Sequence, residues 1–191
     1  MMKCLTYLFF VCILASCAGM QKQIPDNSRQ FSDFIQRQKI LSLPLTIDNY
    51  QNRFDGYDAI ESDTSLLHMS MPMWYLGMLE DTSMFYCVIS IHMGDIGVPQ
   101  LNVFAKNGQL MDQARLMIGE YGPNCGVHVY GYTTISKDLK IYTQDSMAYY
   151  ECDDFGNEYK DSLTIFIHSQ KMEVLKDGSV AEGEKVETKI K

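Results

Sequence analysis

Apolar and polar residues alternate along the second half of the chain, in runs separated by clusters of Gly, Asn, Asp and Pro. The clearest run sets apolar or small side chains against aromatic and polar ones: Val127, Val129, Gly131 and Thr133 against His128, Tyr130, Tyr132 and Thr134. Alternation with a period of two is typical of a β-strand with one buried face. We therefore expect a sheet with one apolar face and one aromatic, polar face.

Runs of β-branched and aromatic residues predict eight strands, at Met84–His92, Gln100–Ala105, Leu110–Ile118, Val127–Ile135, Leu139–Tyr142, Met147–Glu151, Leu163–His168 and Met172–Leu175. Asn107-Gly108 and Asp177-Gly178 are tight-turn signals, because both dipeptides tolerate positive φ angles. Short connections favour antiparallel neighbours. The predicted fold class is mainly β: an antiparallel meander sheet, arranged as a sandwich or a partly open barrel, with a short N-terminal helix.

Four residues before the strands fall at helical spacing: Phe31, Phe34, Ile35 and Gln38. Ser28 or Ser32 would cap this helix, and Pro44 would end it. Leu43 to Ile47 should be extended, because the residue before a proline is disfavoured in the helical region. The helix is expected to cover an apolar sheet face, unless the sheet curls on itself.

The first residues combine a basic Lys3 with an apolar run from Leu5 to Leu14, interrupted only by Thr6. This run is too short to span a bilayer as a helix and predicts a signal peptide over residues 1–16. Small residues and a cysteine follow, as Leu14-Ala15-Ser16-Cys17. An ordinary secretory signal, cleaved after a small residue such as Ala18, is the alternative.

The Leu14-Ala15-Ser16-Cys17 segment resembles the lipobox of bacterial lipoprotein precursors, which are cut just before the cysteine. The resemblance implies that Cys17 carries the lipids, including palmitate-type acyl chains. Apart from this covalent lipid, we expect no cofactor. It also implies a protein held on a membrane face of the bacterial cell envelope, either periplasmic or at the surface. Because it combines this segment with a strand-Asn-Gly-strand pattern between Asn102 and Arg115, the chain resembles small envelope lipoproteins.

The composition of the chain after residue 16 predicts three segments. A polar, lipidated tether is expected at 17–29, a single β-rich domain at 30–178 and a charged, frayed tail at 179–191, with an edge strand at Val186 to Ile190 as an alternative.

The 16 Lys and Arg residues and 24 Asp and Glu residues give a net charge of −8, and loss of Lys3 with the signal makes it −9. An acidic surface repels phosphate backbones, so a nucleic-acid partner is disfavoured.

Of the 6 cysteines, Cys87, Cys125 and Cys152 would remain as thiols after processing and acylation. Cys125 and Cys152 flank a hairpin that is expected to turn near Lys137-Asp138. Counting outward from that turn brings both cysteines to neighbouring positions at its open end, where a disulfide is possible outside the cytoplasm. The alternative is that all three are buried thiols.

One segment combines soft metal ligands: His68, Met69, Met71 and Met73, followed by Trp74. Thioethers on alternate residues, with an imidazole, select Cu(I) or Ag(I), and the indole ring would stack on the bound cation. As an alternative function, this segment predicts a periplasmic Cu(I) or Ag(I) carrier. The alternative is that these methionines fill core space.

Motifs for catalysis are absent from the sequence: it contains no Gly-x-Ser-x-Gly and no His-Glu-x-x-His. We therefore nominate no catalytic residue and expect a protein that is not an enzyme. The favoured function is a noncatalytic binding or assembly module, whose sheet face or loops contact an envelope protein or another ligand. The copper carrier is one alternative, and a small hydrolase is a second.

Overall fold

The computed structural model describes residues 27–48, 60–61, 73–81, 83–92, 97–118 and 124–191, and more than half of them lie in strands. The segment predicted as a signal peptide, Cys17 and most of the predicted tether lie outside the described residues. The helix and strands are α1 (Asn27–Gln36), β1 (Ile40–Leu41), β2 (Leu45–Asp48), β3 (Ile60–Glu61), β4 (Met73–Leu79), β5 (Tyr86–His92), β6 (Val98–Phe104), β7 (Leu110–Arg115), β8 (Val127–Ile135), β9 (Lys140–Tyr149), β10 (Thr164–Val174), β11 (Val180–Glu182) and β12 (Val186–Lys189).

These strands form two sheets. The first sheet has the order β1-β4-β5-β6-β7, and β3 also pairs with β4. The second sheet has the order β11-β10-β9-β8-β2, and β12 also pairs with β10. Consecutive strands pair antiparallel within each sheet, so the predicted meander is confirmed twice over, at β4 to β7 and at β8 to β11.

The two sheets pack face to face around one apolar core. The first sheet contributes side chains such as Ile89 and Leu101, and the second contributes Ile135, Ile141 and Met172. In the described part of the chain the sheets do not close into a barrel. Of the two arrangements left open by the sequence, the fold is therefore the sandwich.

Helix α1 covers the outer face of the first sheet. Phe31 and Phe34 are buried there with Tyr75 and Phe104. The ring centroids of Phe34 and Tyr75 lie 4.8 Å apart in an edge-to-face arrangement, and those of Phe31 and Phe104 lie 5.2 Å apart. The described structure thus has three layers, with the helix outside the first sheet and the apolar core between the two sheets.

A glycine in β4 allows the close approach of β1. Gly77 has φ of +145°, and a Cβ atom there would lie 2.3 Å from the carbonyl oxygen of Lys39. The neighbouring Met78 amide donates to that same carbonyl at 2.7 Å. Any larger side chain would push β1 away, so this position requires glycine.

Several predicted strand boundaries are wrong, because buried polar residues interrupt the apolar pattern. The separate strands expected at 139–142 and 147–151 are one strand, β9, and those at 163–168 and 172–175 are one strand, β10. The polar residues between them predict loops, but Thr143, Asp145 and Gln170 point inward and are buried. Strand β8 matches its prediction, and turns occur at both Gly108 and Gly178, each with positive φ.

The ends of the domain also differ from the expectation. Helix α1 begins at Asn27, inside the expected tether, and ends at Gln36, well before Pro44. Ser28 and Ser32 lie within the helix, so neither caps it. Residues 179–191 are not simply a frayed tail, because β11 and β12 add to the open edge of β10, and the alternative edge strand is present at Val186–Lys189.

Replacement of Phe34 by Ala should lower the free energy of unfolding by about 3 kcal/mol, because it opens a cavity under α1 and removes an aromatic contact. The measurement is urea unfolding followed by circular dichroism. Phe155→Ala is the matched control, since that ring is 93% exposed and its loss should cost less than about 0.5 kcal/mol. Equal losses in the two variants would contradict the packing of α1.

Candidate binding surface

The outer face of the second sheet carries a group of aromatic side chains. Alternation along β8 turns Tyr130 and Tyr132 outward, opposite to the buried Val129 and Thr133. Tyr142 of β9 lies on the same outer face, because its neighbours Ile141 and Thr143 are buried. We call the outward side of the second sheet around Tyr130, Tyr132 and Tyr142 the tyrosine face.

Strand register brings two of these rings together. Tyr132 pairs with Gln144 and Thr134 pairs with Tyr142, so the two tyrosines lie on a diagonal of the ladder. Their ring centroids are 6.2 Å apart, and the Tyr142 hydroxyl donates a hydrogen bond of 2.9 Å to Oε1 of Gln144. These contacts limit the side-chain motion of the face. The third ring, that of Tyr130, is 55% exposed.

A groove of about 730 Å³ opens beside Tyr142, towards the β8–β9 turn. Its wall includes both hydroxyl-bearing and charged residues: Thr134, Ser136, Asp138, Lys140, Tyr142, Lys171 and Glu173. Ala181 and Gly183, in and after β11, line its far side with little or no side chain. Small residues at the far wall leave space for a ligand above the sheet.

The charges at this groove are mixed and partly paired. Nζ of Lys140 lies 2.6 Å from Oδ2 of Asp138, and the Ser136 hydroxyl donates to Oδ1 of Asp138 at 2.6 Å. These two bonds, first that from Lys140 and then that from Ser136, lower the pKa of Asp138 to about 2. Asp138 therefore stays ionised at neutral pH, and the rim of the groove holds opposite charges in similar number.

The two sheets differ in what covers their outer faces. On the first sheet, α1 buries Tyr75, Val88 and Phe104. On the second sheet, no described helix or strand covers the tyrosine face, and Tyr130 is exposed. Among the described residues, the tyrosine face is therefore a half-apolar surface open to a ligand or partner.

Buried polar groups tie the second sheet to the end of the first. The Thr133 hydroxyl donates to the carbonyl oxygen of Leu116 at 2.6 Å and shares a 2.9 Å hydrogen bond with the Thr143 hydroxyl. Oδ2 of Asp145 accepts from the amide of Ile118 at 2.9 Å. Leu116 and Ile118 lie in the short segment after β7, so these bonds cross from one sheet to the other. They keep the side chains of Thr133 and Asp145 pointing towards the interior, which fixes which residues of β8 and β9 face inward.

The open end of the β8–β9 hairpin is cross-linked. Cys125 and Cys152 form a disulfide with Cα atoms 6.4 Å apart, as the count outward from the turn suggested. The following loop is folded around Asp153, whose Oδ1 accepts from the amides of Phe155 and Asn157 at 2.9 and 2.8 Å. Hydrogen bonds from Asn157 lower the pKa of Asp153. This loop is internally bonded and projects the exposed ring of Phe155.

Cys87 is a buried thiol. The alternative in which all three cysteines are buried thiols is wrong, because Cys125 and Cys152 are cross-linked. It is fully buried in the core between the sheets, and burial raises its pKa to about 12, with a further contribution from the charge of Asp81. A thiol with this pKa is almost entirely protonated at neutral pH. Cys87 thus acts as a small apolar side chain.

The proposed copper ligands are only partly within the described residues. His68, Met69 and Met71 lie outside them, and Met73 is the first residue of β4. Trp74 packs against the core between the sheets. Within the described ranges, no group of three or more His, Cys, Asp or Glu side chains is placed to hold a metal ion.

The described histidines lie on separate surfaces. Nε2 of His128 lies 2.6 Å from Oε1 of Glu158, and Nε2 of His168 lies 2.8 Å from Oε2 of Glu187. His92 ends β5 in the other sheet, where burial is the main cause that lowers its pKa. These imidazoles therefore belong to separate local contacts, and the structure does not bring them together.

No helix in the described part of the chain is both long enough and apolar enough to cross a membrane. Comparisons with protein-family models, with curated proteins and with solved structures found no match for this chain. The candidate surface is thus defined by geometry alone. Sequence reasoning anticipated the tyrosines of this surface but missed Lys171 and Glu173. The polar segment that contains Lys171 has the composition of a loop, and the strand predicted at Met172–Leu175 contains Glu173 but does not reveal its pairing with β9.

Proposed function

We propose that this protein is a noncatalytic binding or assembly module of the bacterial cell envelope and that it holds its partner on the tyrosine face. The observation that supports this most directly is the pair of unlike outer faces. Helix α1 buries one, whereas the other exposes Tyr130 beside a groove of about 730 Å³. A sheet face that served only as a lid on the core would not need aromatic side chains on its solvent side.

Tyrosine suits a recognition surface for a physical reason. Its ring supplies a large apolar area at low conformational cost, and its hydroxyl accepts or donates hydrogen bonds at the edge. Here the Tyr142 hydroxyl is already oriented by Gln144, and Tyr132 lies against Tyr142. Binding to such pre-ordered rings loses less entropy than binding to mobile ones.

The chemistry of the groove indicates the kind of partner. The groove is lined by two lysines, Lys140 and Lys171, and by three carboxylates, those of Asp138, Glu173 and Glu182, so its net charge is small. A highly charged ligand gains little from such a surface. An uncharged polar chain, such as a segment of an envelope protein with alternating apolar and polar side chains, fits it better.

The N-terminal sequence supports the location. The Leu14-Ala15-Ser16-Cys17 pattern predicts Cys17 as the site of a covalent lipid. The first described helix, α1, begins ten residues later, at Asn27. A lipidated cysteine with several acyl chains anchors a protein stably, whereas a single chain is marginal. The module would then meet its partner at the membrane face to which the lipid holds it.

Cross-linking in the native cell tests the binding surface. A photoreactive benzoylphenylalanine at position 130 should form one discrete adduct with another protein, because the side chain lies on the tyrosine face. Position 159 is the matched control, since Tyr159 and Tyr130 are equally exposed, at 54% and 55%. Tyr142→Ser should lower the yield of the adduct formed from position 130 severalfold, because it removes a ring from the same surface.

Equal adducts from positions 130 and 159, or none from position 130, would refute the proposed surface. An adduct at position 130 that survives Tyr142→Ser unchanged would also count against the groove. Circular dichroism of each variant should match that of the parent chain, since all three side chains lie outside the core.

Mass spectrometry of the mature N-terminus tests the anchor. We expect the first residue to be Cys17, with a diacylglyceryl group on its sulfur, and Cys17→Ala to release the chain from membranes. Ser16→Ala is the control, because it keeps a small residue before the cysteine. An unmodified N-terminus at position 18 or beyond would rule out the lipid.

A further inference from the structure

Strand β12 ends the second sheet with an open edge. It pairs with β10 on one side, through Phe166↔Lys189 to Ser169↔Val186. On its other side no strand of the described chain is paired with it, and all four of its residues are exposed. Unpaired strand edges are templates for pairing with another chain.

The hydrogen-bond pattern shows which backbone groups face that open edge. The Ile190 amide donates to the carbonyl oxygen of Ile165 at 2.8 Å, so Ile190 faces β10. Bonded positions alternate in an antiparallel ladder, which places Val186 and Thr188 with Ile190. Glu187 and Lys189 therefore direct their amide and carbonyl groups to the open edge.

We propose that β12 pairs with β12 of a second copy of this chain, antiparallel and centred on Thr188. In this register Glu187 of each copy lies opposite Lys189 of the other, and the backbone groups of both residues face each other. Two opposite-charge pairs and four backbone hydrogen bonds result. The occupant is a second copy, because the strand is complementary to itself.

Two apolar residues, Val186 of β12 and Ile190 directly after it, support the same register. Val186 and Ile190 are 52% and 61% exposed. Both lie on the outer face of the sheet, because Val186 pairs with Ser169 whereas Glu187 pairs with the inward His168. Centring on Thr188 puts Val186 opposite Ile190 of the second copy, and such cross-strand apolar pairs stabilise a sheet.

Neighbouring registers are disfavoured by charge. A pairing centred on Glu187 would set Glu187 against itself and Lys185 against Lys189, and one centred on Lys189 would set two lysines together. Like charges directly opposite each other destabilise a sheet. Centring on Thr188 leaves only Lys185 and Lys191 as a like pair, at the two ends, where solvent screens them.

The contact is small. A single pair of edge strands falls in the class of interfaces below about 1,200 Å², which includes weak and transient ones. Dimerisation is therefore expected at high protein concentration, or where anchoring confines the copies to one surface. In the dimer the two second sheets would be continuous, with both tyrosine faces on the same side.

Disulfide trapping tests the register in the full chain. In Thr188→Cys the two new thiols face each other across the symmetry axis, at a non-hydrogen-bonded position where Cα atoms are about 4.5 Å apart. Mild oxidation with copper phenanthroline should trap a covalent dimer. Val186→Cys and Lys189→Cys are the matched controls, since each cysteine would face a different residue and should trap at least about tenfold less.

A charge exchange tests the pairing independently of cysteine chemistry. Glu187→Lys and Lys189→Glu should each lower self-association about tenfold, because each creates two like-charge pairs, whereas the double variant should restore it. A mixture of the two single variants should also associate, because every pair between positions 187 and 189 then joins a lysine to a glutamate. Sedimentation equilibrium up to about 1 mM protein is the measurement, since weak dimers need such concentrations.

Equal trapping at positions 186, 188 and 189, or none at position 188, would overturn the proposed register. A double variant and a mixture that both remain as monomeric as the single variants would overturn the charge pairing. Co-trapping of Thr188→Cys with a different protein, and not with its own copy, would show that another strand occupies this edge and would also refute the proposal.

Discussion

The phase of strands β8 and β9 is the constraint on which the rest of this structure depends. A strand that slips by one residue exchanges its two faces, so the inward and outward sets must be held apart. Hydrogen bonds from Thr133 to Leu116 and from Ile118 to Asp145 do this, because they reach from the second sheet to the end of the first. Apolar contacts alone are less directional.

This phase has direct consequences for both faces. With Thr133 and Thr143 inward, the side chains of Tyr132 and Tyr142 must lie outside. The interior polar bonds and the exterior aromatic surface are thus two results of one register. A second link between the sheets acts in the same direction, since Oδ2 of Asp112 in β7 accepts from the Val180 amide at 2.7 Å and draws β11 towards the first sheet.

The same residues explain how far sequence reasoning reached. Strand β8 is predicted to the residue, because aromatic and apolar side chains alternate along it. Strands β9 and β10 are each divided in two by the sequence pattern, because Asp145 and Gln170 look like loop residues but are buried and hydrogen bonded across strands or sheets. Such partners are distant along the chain, so no local pattern reveals them.

Strand β4 illustrates a second limit. Its apolar residues do not alternate with polar ones, because both of its faces are covered: Tyr75 contacts α1, and Leu76 enters the core between the sheets. The tyrosine face, in contrast, is visible in the sequence as a pattern, although its neighbours in the groove are not. Lys171 and Glu173 reach it only through the pairing of β10 with β9.

The most direct test of this account compares two adjacent threonines of β8 by urea unfolding. Thr133→Val keeps the shape of a buried side chain but removes the hydroxyl that bonds Leu116 and Thr143, so we expect a loss of about 1 to 3 kcal/mol in the free energy of unfolding. Thr134→Val makes the same chemical change on the outer face and should alter this free energy by less than about 0.5 kcal/mol. Equal stability of the two variants would contradict the claim that buried hydrogen bonds hold the phase of the second sheet.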